Sequence, residues 1–468
     1  MHFHALPWLT LIGACSLMIS ACSNADSPAP AGAGGWGPGK VYRSEEKPNA
    51  RGFLDRRGII HAHSVFSHDA CDGKPADDAG TRNEACFEDL RRGMCQAGHD
   101  FVMLTDHRTS FADHEFPDVL QYDQSRGDEL IERNGTPAAN WGGCLDGTRT
   151  LIMAGTESGT MAVGLERHVP GDATARGDTY SAITPEAIGL IKEAGAVSLV
   201  QHTEDWTVEQ LSTLPIDGFE MFNLHYDIMY VAPGELMGML AKQKQPELLP
   251  HPDLAVAVII KELPVYLDTW SQVLAKGVHR VTTLATDAHR NTLWQLLPDG
   301  ERIDSYRRMM LAFSNHLLVR PATDGSWNDV QVKEALREGR LYGVFEFLGY
   351  AEGFDYHAVE GGTIREMGEK VSVAKGVELR VALPHVRDLD PSVAAPAISV
   401  RILRATDQSW TQVASGQGDL SYQVQEPGAY RAEIRMIPRH IAGYLGTYSA
   451  IAEEDRPWIY ANPVYVAP

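Results

Sequence analysis

The chain has few cysteines, no excess of basic side chains and no clear membrane-spanning run of apolar residues. Its six cysteines include no Cys-x-x-Cys pair, which excludes a cysteine zinc ribbon. The 41 basic and 62 acidic side chains give a formal charge of −21, which argues against nucleic acid or an anionic membrane surface as the main partner. No repeat occurs at a fixed period, and low complexity is confined to one segment near the N-terminus.

What the sequence does contain is enough apolar material for well-packed cores. It has 468 residues, 44% of them hydrophobic and 8% aromatic. This length accommodates two or three domains, and this composition excludes a disordered protein.

The N-terminal residues have the pattern of an export signal. Residues 5–21 are apolar but too short for a clear membrane span, and Ile19-Ser20-Ala21 precedes Cys22. This ending resembles the bacterial lipobox, in which the cysteine is lipidated, although the first residues lack Lys and Arg. We therefore predict a lipoprotein-type signal peptide at 1–22 and a flexible tether at 23–52. The alternative is a signal cleaved to release a soluble protein.

Export has consequences for location and for the cysteines. The prediction is a periplasmic or cell-surface protein that is attached to a bacterial membrane only through its N-terminal lipid. The four cysteines after Cys22 are then expected to form disulfides: Cys71, Cys86, Cys95 and Cys144. Three pairings are possible, and we favour Cys71–Cys86 with Cys95–Cys144 because the first pair would close a short loop.

The middle of the chain repeats an amphipathic helix, a glycine, an apolar strand and then polar residues. This alternation predicts an α/β fold with a parallel sheet or barrel at 53–345. From about Lys370 onward, short alternating runs are punctuated by Gly, Pro and Asp. They predict that residues 346–468 form a connector and a small antiparallel β-sandwich.

Histidines and carboxylates follow the predicted strands. In a parallel barrel the carboxyl ends of all strands face one mouth, so these side chains would meet there. Six histidines and three carboxylates form a nitrogen and oxygen donor set that Zn, Mn and Fe accept. Each short motif alone also fits an ordinary hydrogen-bonded residue, so the prediction depends on the joint pattern. The positions are His61, His63, Asp69, His107, Glu157, His168, His202, Asp287 and His289.

These motifs resemble, in chain order, those of the PHP (polymerase and histidinol phosphatase) superfamily. The motifs are HAHSVFSHD, LTDH, the Glu157–His168 pair, QH and TDAH, and the resemblance covers roughly residues 55–340. It implies a distorted (β/α)7 barrel with two or three metal ions at its mouth.

The resemblance also implies how the ligands are shared. His61, His63, Glu157 and Asp287 would hold one ion, and Glu157 would bridge to a second ion shared with His168 and His202. Asp69, His107 and His289 would hold the third. His168 is placed only by its distance of eleven residues from Glu157.

Sequence outside the ligand motifs is similar to the carbaryl-hydrolase-like branch, whose members carry a β-sandwich after the barrel and often an export signal. The similarity lies in Trp270, in residues 339–359 and in the closing run 457–466. Most of the superfamily are phosphoesterases, whereas named members of this branch cleave aryl carbamates and esters.

The predicted chemistry is hydrolysis by metal-bound hydroxide without a covalent intermediate. Ser64 and Ser67 lack a partner base of the triad kind. We predict that Asp106 orients a ligand histidine from behind. Arginines also lie beside the ligands, and one or more of them would contact a substrate phosphate; the alternative is that they are ordinary surface residues. They are Arg108, Arg167 and Arg290. Glu220 and Asn223 are interpreted as structural or pocket-lining, and His225 could reach the mouth.

Three functions remain open at this stage. The leading one is an exported phosphomonoesterase or phosphodiesterase that acts on a small phosphorylated molecule, with Glu157, Asp106 and Arg290 in catalytic roles. The second is an aryl ester or carbamate hydrolase with the same metal site. The third is a non-catalytic surface lipoprotein that binds a ligand or metal. The sequence does not identify a partner protein.

Overall fold

The computed structural model describes residues 35–78 and 80–468. The predicted signal peptide, Cys22 and the first part of the predicted tether lie outside these residues. Gly35–Pro468 form one compact unit. Among the helices of the described part, none has both the length and the hydropathy needed to cross a membrane.

The described residues of the region predicted to be α/β contain twelve strands. They are β1 Leu54–Ala62, β2 Phe101–Met103, β3 Asp106–His107, β4 Glu129–Arg133, β5 Thr136–Gly143, β6 Arg149–Glu157, β7 Met161–Leu165, β8 Val197–Leu199, β9 Gly218–Asn223, β10 Val281–Ala288, β11 Ser314–Val319 and β12 Leu341–Val344.

Helices alternate with these strands, so the predicted α/β class is confirmed. They are α1 Ala70–Gly73, α2 Glu84–Gln96, α3 Arg108–Phe111, α4 Ala173–Ser181, α5 Pro185–Glu193, α6 Val208–Thr213, α7 Leu224–Tyr226, α8 Pro233–Leu240, α9 Ala255–Ile259, α10 Pro264–Ala275, α11 Tyr306–Leu311 and α12 Asp329–Arg337. A π-helical turn, Asp227–Val231, follows α7 directly.

The main sheet combines parallel and antiparallel pairs. Strand β1 lies between parallel neighbours β2 and β10, β2 is parallel to β6, and β10 is parallel to β9. Antiparallel pairs join β6 to β7 and β7 to β8. Beyond β8, Val200 N donates to Gly218 O (3.0 Å) and Glu220 N donates to Val200 O (3.1 Å), which links that segment to β9. Successive pairings therefore lead from β1 back to β1.

The remaining strands lie in the C-terminal region, divided between the large sheet and two small ones. They are β13 Ala351–Glu352, β14 Asp355–Glu360, β15 Thr363–Glu366, β16 Lys370–Ser372, β17 Val377–Ala382, β18 His385–Val386, β19 Ala397–Arg404, β20 Thr411–Gly416, β21 Leu420–Gln423, β22 Gly428–Ile437, β23 Arg456–Ala461 and β24 Val464–Ala467. Because β23 pairs with β12, hydrogen bonds cross the predicted boundary between residues 345 and 346.

Part of the predicted flexible tether packs against the protein: buried side chains occur at residues 36–44, whereas residues 45–50 are exposed. The side chains of Trp36 and Tyr42 are buried. Trp36 N donates to Asp388 O (2.6 Å), and the Trp36 ring lies edge-on to His440 at 4.7 Å. A composition rich in Gly and Pro indicated a linker, but two aromatic side chains supply enough apolar surface to hold the segment in place.

Two disulfides hold the segments around α2. Cys71 in α1 is bonded to Cys86 in α2, and Cys95 near the end of α2 is bonded to Cys144, which follows β5. This is the pairing favoured from the sequence.

Candidate metal centre

Strand ends bring eight of the nine predicted ligands together. β1, β3, β6 and β10 end at or beside His61, His107, Glu157 and Asp287, and His202 follows β8 within three residues. Because neighbouring parallel strands end at the same edge of the sheet, their terminal side chains share one space. We call this group the strand-end cluster: His61, His63, Asp69, His107, Glu157, His202, Asp287 and His289.

The donor atoms in the middle of the cluster have the spacing of metal ligands. His61 Nε2 lies 3.1 Å from Asp287 Oδ1, and His63 Nε2 lies 3.2 Å from Glu157 Oε2 and 3.3 Å from Asp287 Oδ1. Metal–donor bonds of about 2.0–2.2 Å place adjacent donors about 2.8–3.6 Å apart in octahedral or tetrahedral arrangements. These four side chains therefore meet the distance requirement for one ion.

A second set of donors lies on the Asp69 side. His107 Nε2 lies 3.4 Å from His289 Nε2 and 3.4 Å from Asp69 Oδ2, and His289 Nε2 lies 3.5 Å from the same oxygen. The three atoms form a nearly equilateral triangle at ligand spacing. They belong to the three residues that the resemblance assigns to a third ion, and that assignment stays a prediction.

Glu157 faces both sides of the cluster. Its Oε2 lies 3.2 Å from His63 Nε2 and 3.4 Å from His107 Nδ1, whereas its Oε1 lies 3.2 Å from His202 Nε2. A carboxylate in this position can bridge two ions, as predicted for Glu157.

The histidines turn Nε2 inward because their other ring nitrogens are held from behind. His61 Nδ1 lies 2.5 Å from Glu220 Oε1, and His63 Nδ1 lies 2.9 Å from Ser67 Oγ. His289 Nδ1 lies 2.9 Å from Asp287 O, and His202 Nδ1 lies 3.3 Å from Glu204 Oε1. Such contacts fix ring orientation and make the inward nitrogen a better metal donor.

Backbone strain coincides with this edge of the sheet. His61 (φ 76°), His202 (φ 48°), Asp287 (φ 51°) and Arg290 (φ 55°) have left-handed backbone conformations. For residues other than glycine this costs about 1–3 kcal/mol each and is concentrated at functional sites.

The electrostatics keep the two central carboxylates ionised. Burial acts to raise the pKa values of Glu157 and Asp287, but the charge of His61 and hydrogen bonds from neighbouring histidines lower both well below the ordinary range. Burial likewise opposes protonation of His63, but hydrogen bonds to Asp287 and Glu157 raise its pKa to about 9. Burial and the charge of His63 lower the pKa of His289 to about 3.

Two buried carboxylate oxygens in the cluster are placed to receive a cation. Asp69 Oδ1 is buried without a hydrogen-bond partner, and Asp287 Oδ1 faces three histidine nitrogens at 3.1–3.3 Å. Unsatisfied anionic oxygens are costly in a protein interior, and a divalent cation would neutralise them. The donor set and these oxygens therefore fit a metal centre.

His168 is the predicted ligand that the structure does not bring to the cluster. Strand β7 runs antiparallel to β6, pairing Met161 with Glu157 and Leu165 with Ala154, so the chain leaves Glu157 before it reaches His168. His168 Nδ1 lies 3.1 Å from Tyr180 Oη and Nε2 lies 2.7 Å from His114 O. Both ring nitrogens therefore have partners elsewhere.

Asp106 also differs from its predicted role. It is fully buried, and its two oxygens accept hydrogen bonds from Ser64 N (2.5 Å) and Ser64 Oγ (2.7 Å) rather than from a ligand histidine. Burial raises its pKa. Asp106 therefore fixes the chain between His63 and Ser67. The sequence analysis predicted that Asp106 would contact a ligand histidine. The residue that makes such a contact is Glu220, which was interpreted as structural or pocket-lining and which contacts His61.

The flanking arginines have partners of their own. Arg290 Nε lies 3.1 Å from Asp89 Oδ2, Arg108 Nη1 donates to Gly177 O at 3.4 Å, and Arg167 donates to Glu193 O. Arg290 nevertheless lines the cleft beside the cluster, together with His225, Ile228, Asn291 and Leu293. Of the three arginines, Arg290 is the one that lines this cleft.

The sequence analysis left His225 out of the ligand set, but the structure places it in contact with Asp287. It lies just beyond the end of β9, and its Nδ1 is 3.2 Å from Asp287 Oδ2. The available signal was its position two residues after Asn223, at the end of a strand that pairs with the Asp287 strand.

Comparisons with models of known protein families, with curated proteins and with solved structures found no match.

Proposed function

We propose that the protein is an exported metal-dependent hydrolase of the PHP superfamily, most similar to its carbaryl-hydrolase-like branch. The observation that carries the proposal is the strand-end cluster, whose donor atoms lie 3.1–3.5 Å from their neighbours. The closed series of strand pairings from β1 back to β1 is the support for a distorted (β/α)7 barrel. The antiparallel C-terminal strands support a following β-sandwich.

Different residues would have different roles in such a site. The central carboxylates and histidines would hold two or three Zn, Mn or Fe ions, and Glu220, Ser67 and Glu204 would orient the histidines. Clustered divalent ions, when bound, lower the pKa of coordinated water towards neutrality and polarise the electrophile. Arg290 is placed at the cleft to contact an anionic substrate group.

A phosphoester is the leading substrate class, because a multinuclear centre of histidines and carboxylates suits in-line displacement at phosphorus. We would reconstitute the full-length chain with Mn or Zn and measure turnover of 4-nitrophenyl phosphate. The proposal predicts metal-dependent turnover that is lost in His61→Ala. Turnover that persists in His61→Ala would contradict it.

An aryl ester or carbamate hydrolase is the second candidate, favoured by apolar side chains around the same cleft. Ile228, Leu293 and Met309 line it. Apolar side chains that line a cleft indicate a ligand with an apolar part. Turnover of 1-naphthyl methylcarbamate without turnover of 4-nitrophenyl phosphate would favour this candidate.

We also propose that the mature chain is lipid-anchored outside the cytoplasm through Cys22. The support is the lipobox-like sequence and the two disulfides, which persist in oxidising compartments. Metabolic labelling with a radioactive fatty acid is expected to label the wild type and not Cys22→Ala. Equal absence of label from both would contradict the anchor.

A further inference from the structure

One segment of the surface groups large apolar side chains that are open to solvent. Met229, Tyr230 and Val231 are the last three residues of the π-helical turn, and Met237 lies in α8. All four are exposed, Tyr230 by 73% and Met237 by 63%, and we call them the α8 patch. No separate stretch of nine residues in the described part exposes more than two such side chains. Single exposed apolar residues are ordinary, but a contiguous group marks an interaction surface.

The chain that carries the patch has little charge. Glu235 is the one charged side chain between Ile228 and Ala241. Within α8 only Leu236 and Met239 are buried, so most of this helix faces solvent without a charged face of the kind that surface helices normally present. A partner that binds through ion pairs would find few groups here, whereas an apolar or interfacial partner suits it.

A short series of contacts joins the patch to the start of the described chain. Lys242, two residues after α8, donates from Nζ to Thr447 Oγ1 (3.1 Å). Three residues before Thr447, the Tyr444 ring lies edge-on to the ring of Trp36 at 6.5 Å. The segment 439–453 therefore contacts both the residues that follow α8 and the residue next to Gly35.

The proposed lipid anchor would hold a membrane within reach of this surface. Twelve residues separate Cys22 from Gly35, and fully extended they span at most about 45 Å. A surface that is tethered so closely to a bilayer meets it at a high effective concentration, so a small apolar patch is sufficient for contact. The position of the chain start thus favours a membrane as the occupant of the patch.

We propose that the α8 patch docks on the lipid bilayer that carries the anchor. The inference rests on the proposed anchor at Cys22, and it adds a second contact to an attachment that was predicted to be through the lipid only. The formal charge of −21 favours zwitterionic over anionic lipids. Tyr230 has the apolar ring and polar tip of a side chain suited to the membrane interface. Because the neighbouring Ile228 lines the cleft beside the strand-end cluster, docking would keep that cleft close to the membrane.

The test is binding to vesicles without the acyl group. It uses the chain from residue 22 onward with Cys22→Ser, in which the compact unit Gly35–Pro468 is intact. We expect this protein to float with vesicles of phosphatidylcholine and phosphatidylethanolamine. Replacing part of the lipid by phosphatidylglycerol should not strengthen binding. Because no acyl group is present, the result does not depend on whether the cell lipidates Cys22, which fatty-acid labelling decides.

Two double variants of this protein locate the contact. Tyr230→Ser/Met237→Ser removes two side chains of the patch and should weaken vesicle binding by at least about tenfold, since each buries apolar surface on docking. Leu145→Ser/Ile364→Ser is the matched control. It removes side chains that are 97% and 47% exposed elsewhere, and it should bind as the parent does. Equal melting temperatures would show that both variants fold.

A fluorescent label gives a second measurement that does not depend on removing apolar side chains. The four cysteines of the described part are paired in disulfides, so an introduced cysteine supplies the thiol that is labelled. The emission of a polarity-sensitive dye at Met237→Cys should shift to shorter wavelength when vesicles are added. The same dye at Ile364→Cys should not shift.

The outcomes that overturn the docking surface differ from those that overturn the anchor. If the acyl-free protein does not bind vesicles, or if Tyr230→Ser/Met237→Ser binds them as tightly as its parent, the patch does not dock on lipid. A dimer on gel filtration that this variant dissociates would assign the patch to a second copy of the chain instead. Vesicle binding through the patch without fatty-acid labelling of Cys22 would overturn the anchor and keep the docking surface.

Discussion

Two groups of histidine and carboxylate side chains in this molecule differ in backbone strain and in how their polar atoms are paired. One is the strand-end cluster. The other, which we call the His316 cluster, consists of His316, Asp55, Glu346, Arg57 and Tyr342 and lies between β1, β11 and β12. Both contain histidine, aspartate and glutamate, so the presence of these residue types alone does not distinguish them.

The difference lies in how completely the polar atoms are paired. His316 Nδ1 lies 3.0 Å from Asp55 Oδ1 and Nε2 lies 3.3 Å from Glu346 Oε1, and Tyr342 Oη donates to Asp55 Oδ2 (2.5 Å). Arg57 pairs with Glu346 at 3.4 Å. The histidine and the carboxylates of the His316 cluster are thus paired within it, and of its members Arg57 Nε is buried without a hydrogen bond. In the strand-end cluster, by contrast, Asp69 Oδ1 is buried without a hydrogen bond, three histidine nitrogens converge on Asp287 Oδ1, and three members have a left-handed backbone. A group whose histidine and carboxylates are paired internally stabilises the fold, whereas a strained group of converging donors suits a bound cation.

The largest expected effect is therefore on catalysis at the strand-end cluster. His61→Ala should reduce metal-dependent turnover of the preferred ester by about a thousandfold or more, because metal ions supply several kcal/mol of transition-state stabilisation. His316→Ala should leave metal content unchanged while lowering the melting temperature. Steady-state kinetics and thermal unfolding of both variants check this, and a similar activity loss in both would remove the distinction between the clusters.

The two disulfides allow a second test, for which the expected effect is slightly smaller. Replacing either pair by serine should lower the free energy of unfolding by about 3–4 kcal/mol, from the loop-closure entropy of the sequence separations. Only the Cys71–Cys86 pair adjoins the strand-end cluster, where Cys71 N donates to His289 O at 3.0 Å. We expect the double variant Cys71→Ser/Cys86→Ser to weaken metal binding, and Cys95→Ser/Cys144→Ser to retain it. Denaturant unfolding with calorimetric metal titration measures both, and equal metal affinities in the two would contradict the link.

The His316 cluster predicts a dependence of stability on pH. Burial opposes protonation of His316, but Asp55 and Glu346 raise its pKa from 6.5 to about 9. The folded state then binds this proton more tightly than the unfolded state. The resulting stabilisation is fully present below pH 6.5 and is lost as pH rises through 9, by up to about 3 kcal/mol.

The check is urea unfolding of metal-free wild type and His316→Gln between pH 6 and 10. The wild type should lose stability across this range more steeply than the variant. Parallel curves for the two proteins would show that His316 is not the titrating group.

Glu220→Gln should give the smallest effect. Glutamine retains the shape of the side chain but weakens the contact with His61 Nδ1, so metal affinity should fall by about 10–100-fold without loss of the fold. Calorimetric titration with Zn or Mn measures it. Asp106→Asn is the matched comparison, because Asp106 contacts Ser64 and not a ligand histidine, and it should alter metal affinity less than Glu220→Gln. A larger loss of metal affinity in Asp106→Asn than in Glu220→Gln would instead support the role that the sequence predicted for Asp106.

The sequence predicted those features that follow from strand ends. The apolar runs before His61, His107, Glu157, His202 and Asp287 form strands that end together, so period and spacing were sufficient. His168 could not be placed, because β7 turns back along β6 and a separation of eleven residues does not give the direction of the chain.

Side chains that act from behind the donors were harder to predict. Glu220 and Asp106 both lie in buried strands close to histidines, and only the packing decides that Glu220 contacts His61 and Asp106 contacts Ser64. The predicted tether extended too far along the chain for a similar reason. The burial of Trp36 depends on Asp388 and His440, some 350 residues or more away in the chain. Local composition carries no information about such partners.

The most direct test of the central claim is anomalous X-ray scattering from crystals of the Zn- or Mn-loaded protein, recorded at the absorption edge of the metal. The account predicts two or three peaks among the side chains of the strand-end cluster, each about 2.0–2.2 Å from histidine nitrogens or carboxylate oxygens, and none within the His316 cluster. Well-diffracting crystals of metal-soaked protein without a peak between Glu157 and Asp287 would contradict it.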